Sequence, residues 1–71
     1  MNESYVVQYT HQKLKKHKTW QDGMLIVRVG ERFASLRDDA GKSIDSVCIP
    51  SGFTFETDAE LETERYRLLL L

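Results

Sequence analysis

Seventy-one residues make one small domain and no more, because a chain this short buries only about 60% of the surface its unfolded form exposes. A multidomain enzyme is excluded, and with 41% apolar and 30% charged residues and a single proline so are disorder and fibrous repeats. The charge is divided along the chain: residues 1–37 carry seven cations against three anions, a balance of +4, and residues 38–71 carry three against eight, a balance of −5. Such a dipole in sequence favours an oriented encounter with a partner over indiscriminate polyanion binding.

The longest apolar runs, Met24 to Val27 and Leu68 to Leu71, fall far short of the roughly 20 residues of a membrane span. The polar start Met1-Asn2-Glu3-Ser4 lacks a signal-peptide apolar core, so the chain reads as soluble and non-secreted. The single cysteine, Cys48, has no internal disulfide partner, and two histidines with one cysteine fall short of a structural zinc set. Packing has to supply the stability.

In chain order, Ser4 to Thr10 alternates with Tyr5, Val7 and Tyr9 on one face and reads as a first strand. Residues 11–17, with Leu14 as the one aliphatic among polar side chains, read as a solvated loop in preference to a short helical turn. Lys18-Thr19-Trp20 enters extended structure, Gln21-Asp22-Gly23 offers a turn in which glycine takes positive φ, and Met24 to Val29 leaves as a strand, a hairpin pattern. Gly30-Glu31 marks a second turn and Arg32 to Arg37 a third strand. The segment Asp38 to Lys42 marks a third turn, and Ser43 to Ile49 runs as a strand as far as Pro50-Ser51-Gly52. Phe53 and Phe55 are expected to cap the core, Thr57 to Glu62 to start a single helical turn, and Tyr66 to Leu71 to form a last strand with Tyr66, Leu68 and Leu70 facing inward. The expected fold is mainly β: a five- to six-stranded barrel, SH3-like or OB-like, whose first and last strands pair so that no long edge stays open. The four closing leucines read as the end of an N-terminal module, residues 1–71, of a longer protein.

No catalytic motif is present, and neither a cofactor nor a metal is expected. Cys48, at an apolar strand end, reads as a buried structural thiol. His11 and His17 read as solvated loop residues, without a carboxylate or thiol at ligand spacing, and Asp38 and Asp39 as turn formers accepting local backbone N–H bonds. The most pointed feature is Lys13, Lys15, Lys16 and Lys18 beside Trp20. Three readings stand there: a solvated face, a protein contact, and a phosphate-binding surface with a stacking ring. Trp20 beside a turn fits a core plug better than an exposed platform.

The blocks Tyr9-Thr10-His11-Gln12-Lys13 and Trp20-Gln21-Asp22-Gly23, with Lys16 and Lys18 between them, carry a resemblance. So do Leu36-Arg37-Asp38-Asp39-Ala40-Gly41 and Leu61-Glu62-Thr63-Glu64-Arg65-Tyr66. Over nearly its whole length the chain resembles the N-terminal domain of unknown function that heads the GRF-zinc-finger (ZGRF-type) DNA helicases and the smaller fungal recombination factors of the Dbl and Mte type. The resemblance implies a nuclear, non-catalytic module in proteins of homologous recombination, replication-fork repair and, in yeast, telomere maintenance. It implies association with DNA helicases of the Fanconi-anaemia M type and with D-loops; the helicase and zinc-finger parts are absent from this chain.

The expected function is therefore docking of a protein partner, such as a Fanconi-anaemia M-type helicase. The expected surface is the loop of His11, Gln12, Lys13, Lys15, Lys16 and Lys18 together with Trp20, Gln21 and Asp22, since binding residues concentrate on loops. Direct binding of branched or single-stranded DNA through the same lysines is the competing reading. A Tudor-like methyl-lysine reader, caging a cation with Tyr5, Tyr9, Trp20 or Tyr66, is the third.

Overall fold

The structure is a computed structural model that describes residues 2–71. All its regular elements are strands: β1 (Asn2–Thr10), β2 (Gln21–Arg28), β3 (Phe33–Asp38), β4 (Ser43–Cys48), β5 (Glu60–Glu62) and β6 (Arg67–Leu70). They form one antiparallel sheet in the order β4-β3-β2-β1-β6-β5. The first and last regions of the chain do pair, Val7 opposite Leu70 and Tyr9 opposite Leu68, so the expected small β fold is borne out as a curled half-barrel.

Alternation decides which face is covered. Val7, Tyr9, Leu25, Val27, Ala34, Leu36, Val47, Leu61, Leu68 and Leu70 form one buried cluster, with Tyr5, Phe53, Phe55 and Tyr66 packed against its margin. These are the positions at period two on each strand, because successive side chains point to opposite sides of a pleated ribbon. Phe53 and Phe55 cap the core as expected, meeting each other edge to face at 4.9 Å.

Four local expectations are corrected. Gln21-Asp22-Gly23 is the start of β2, not a turn, and Gly23 has no positive φ; the glycines that do are Gly30, Gly41 and Gly52. Lys18-Thr19-Trp20 is irregular. The segment expected to hold a helical turn instead turns at Asp58, with φ of 71°, and then forms β5, because pairing Leu61 with Leu68 buries an apolar side chain that an isolated turn would leave wet. Cys48 is exposed, since its partner Phe33 also lies on the outer side of the sheet.

Edge strands β4 and β5 do not pair with each other. The β5–β6 turn spans the opening instead. Arg65 Nη2 donates to the Ile44 carbonyl at 2.8 Å and lies 3.6 Å from the Asp45 carboxylate, which also accepts the Ser46 N–H at 2.8 Å. The Ile44 carbonyl is thereby occupied, which removes one acceptor that another chain could use to pair with the β4 edge. Burial alone would push the Asp45 carboxyl up. The Ser46 N–H, the Thr63 hydroxyl and the Arg65 guanidinium outweigh it, and together hold the group below its ordinary 3.8. A carboxylate depressed in this way binds fewer protons in the native state, so its stabilisation is complete above the unfolded value and drains as pH falls through the folded one. We expect Asp45→Asn to lower stability by about 1 kcal/mol near neutral pH, an amount reduced by solvent screening of Arg65. In urea titrations the gap between variant and wild type should close at pH values below 3.8.

Candidate functional site

Tyr9 organises the region singled out in the sequence. Its ring meets Tyr66 edge to face at 5.5 Å, and its hydroxyl donates to Gln21 Oε1 at 3.2 Å across the β1–β2 ladder. Burial, and then the nearby Asp38 charge, raise the phenol above its ordinary 10.0 and keep it a neutral donor. Gly23 follows on β2, opposite Val7. A Cβ there would stand 2.6 Å from the Arg37 carbonyl and 2.8 Å from the Tyr9 ring, so glycine is needed for the close approach of that ring, not for a turn.

The loop after β1 is tied down along its length. Thr10, fully buried, accepts the Gln12 N–H at 3.1 Å through its hydroxyl. Gln12 Oε1 accepts the Thr19 N–H at 2.7 Å, fastening the two stems together. Its carbonyl accepts the Lys15 N–H at 3.2 Å. Lys18 Nζ donates to the Lys15 carbonyl at 2.6 Å. Lys13 reaches across to the β5–β6 turn, donating to the Thr63 carbonyl at 2.7 Å and lying 3.6 Å from Glu62. A hydrogen bond from Arg67, then the Lys13 charge, hold the Glu62 carboxyl below its ordinary 4.5.

The nine residues expected at the site therefore divide. Gln12, Lys13, Lys18 and Gln21 hold the loop and its neighbours in place, and Asp22 accepts a long bond from Gln8 at 3.5 Å. Trp20 is half-buried but stands outside the core cluster, so it is not the expected core plug. His11, Lys15 and Lys16 are exposed, as is His17. Leu14, between Lys13 and Lys15, is completely exposed at 102% and shares a groove with His11, Lys15, Glu64 and Arg65. Sequence reasoning left Leu14 out of the site, although a lone aliphatic in a polar loop was a signal.

Three of the four aromatic residues of the methyl-lysine reading, Tyr5, Tyr9 and Tyr66, are already engaged with other rings, and among the described residues Trp20 meets none. Tyr5 stacks on Phe55 with centroids 4.6 Å apart and planes 11° apart, a gap too narrow for an ammonium group. Tyr66 meets Tyr9 at its edge and carries the Arg65 guanidinium at 5.6 Å from its centroid. Among the described residues, no three His, Cys, Asp or Glu side chains gather to hold a metal ion.

A half-barrel of six strands with a stapled loop at one end defines a small all-β module. The chain belongs to the family described as "DNA helicase ZGRF1-like, N-terminal domain", whose sequence profile matches residues 2–70. It is 42% identical over 65 residues to the mouse (Mus musculus) protein "5'-3' DNA helicase ZGRF1", a match that takes in 90% of this chain and 3% of that relative. No solved structure matches.

The contact between Tyr9 and Gly23 gives a direct test. Gly23→Ala forces backbone and ring apart and is expected to cost about 2 kcal/mol, as overpacking does. Guanidinium chloride denaturation measures it, and an unchanged midpoint would contradict the packing described.

Proposed function

We propose that this domain is a non-catalytic docking module of a homologous-recombination or DNA-repair factor acting in the nucleus, and that it captures a protein partner through the tip of the loop after β1. The observation that carries the reading is Leu14, a wholly exposed leucine on a loop fastened at Gln12, Lys13 and Lys18, with exposed Lys15 and Lys16 beside it. An apolar anchor held in place before binding loses little conformational freedom when it is buried, and the neighbouring ammonium groups select a pocket rimmed by carboxylates. Membership of a helicase N-terminal family supports a partner among DNA-processing proteins, of which a Fanconi-anaemia M-type helicase is the first to try.

Direct DNA binding by the same loop has less support. Lys13 is spent on the Thr63 carbonyl and Glu62 and Lys18 on the Lys15 carbonyl, which leaves fewer cations for a phosphate chain, and Trp20 is half-buried where a stacking platform would stand open.

Leu14→Ser and the double change Lys15→Glu/Lys16→Glu alter exposed side chains only and should leave stability within about 0.5 kcal/mol of the parent. Each is expected to weaken capture of a Fanconi-M-type helicase fragment by about tenfold or more, read by anisotropy. If instead the fragment is silent and a labelled D-loop binds with an affinity falling by about 0.7–0.9 log units per log unit of salt for each phosphate, the DNA reading replaces this one.

A further inference from the structure

Among the described residues, the other large apolar side chains more than half exposed are Val6, Val29, Phe33 and Leu71. Three of these lie along one band of the outer sheet face, away from the core. Val6 stands opposite Met24, and Met24 opposite Arg37, while Ile26 occupies the next outward position of β2 between Ser4 and Ser35. The Leu71 N–H donates to the Val6 carbonyl at 3.1 Å, extending the band at one end. At the other end Phe33 and Ile26 share a groove with Arg28 and Arg37. Single exposed apolar residues are ordinary, whereas a connected series marks an interaction surface.

The cations that flank the band, Arg37 beside Met24 and Arg28 near Phe33, say what covers it. Arg37 has no carboxylate within ion-pairing distance among the described residues, and its only polar contact is a long one, 3.4 Å to the Gly41 carbonyl. Arg28 has Glu31, which lines the same groove, at 3.9 Å, with both side chains well exposed, so the groove keeps two guanidinium groups against one carboxylate. A guanidinium without a fixed carboxylate partner next to an apolar row favours a planar anion attached to an apolar group. We infer that the outer sheet face is a second docking surface, for an acidic amphipathic segment of a partner protein. The apolar side chains of that segment lie along Val6, Met24, Ile26 and Phe33, and its carboxylates meet Arg37 and Arg28. A nucleic-acid strand fits less well: the band offers one aromatic ring and a row of aliphatic side chains, where stacking needs successive rings. The inference is independent of the loop, which is a different surface.

Selection of a random dodecapeptide library on the intact domain tests it. Enrichment of peptides that combine Asp or Glu with Leu, Ile, Met or Phe is expected. Their affinity should fall about tenfold or more in Phe33→Thr and in Arg37→Glu, both exposed strand positions whose thermal unfolding should stay close to the parent's. Failure to enrich peptides, enrichment of peptides without carboxylates, or binding indifferent to both substitutions would overturn the proposal. So would an oligothymidylate that binds the parent and is lost in Phe33→Thr, which favours a nucleic-acid strand. A concentration-dependent dimer in sedimentation that Phe33→Thr abolishes would likewise overturn it, in favour of self-association.

Discussion

The ring of Tyr9 lies against the bare Cα of Gly23, and most of the features that distinguish this domain converge on that contact. The ring fixes how closely β1 and β2 approach at their loop end, and its hydroxyl binds Gln21, the residue directly opposite it in the ladder. On its other side it meets Tyr66, whose carbonyl accepts the Thr63 N–H at 2.7 Å and so shapes the β5–β6 turn. That turn in turn supplies the carbonyl to which Lys13 is fastened. Two sequence blocks that look like separate signatures thus form a single packed unit, with Tyr9 at its centre.

Much of the architecture was legible because a half-buried strand writes its period into the sequence. In β1, Tyr5, Val7 and Tyr9 recur at every second position beside Ser4, Gln8 and Thr10, and in β3 Ala34 and Leu36 alternate with Ser35 and Arg37, a pattern that fits a ribbon with one dry face. Gly23 was misread because glycine answers two different needs. It permits positive φ and it permits close approach, and only the position of Tyr9 across the ladder tells which applies. Residues 57–62 were misread because a three-residue edge strand is too short to show a period; what makes β5 a strand is the presence of β6 beside it.

The candidate site was less legible, and for a tertiary reason. Four lysines in a row look alike in sequence. In the fold one reaches Thr63 fifty positions away, one turns back on its own loop, and two remain in solvent. The charge division along the chain is likewise folded together where Lys13 meets Glu62, so the dipole in sequence does not survive as two separate faces at that end. What remains available to a partner is narrower than composition implies: a leucine with its flanking cations, and an apolar band ending in guanidinium groups.

The place of β1 in the sheet has a consequence for how the chain reaches this state. It is synthesised first, yet it is an inner strand whose second ladder joins Val7 to Leu70. Until residues 67–70 exist, Val7 to Thr10 lack their second partner strand, so an emerging chain can hold at most the β1–β4 meander with that inner edge bare. Closing the long loop between β1 and β6 comes late and costs entropy before it returns any contact. Folding on the ribosome should therefore be delayed until the last strand has cleared the exit tunnel, leaving β1 during that interval the segment most in need of protection from other chains.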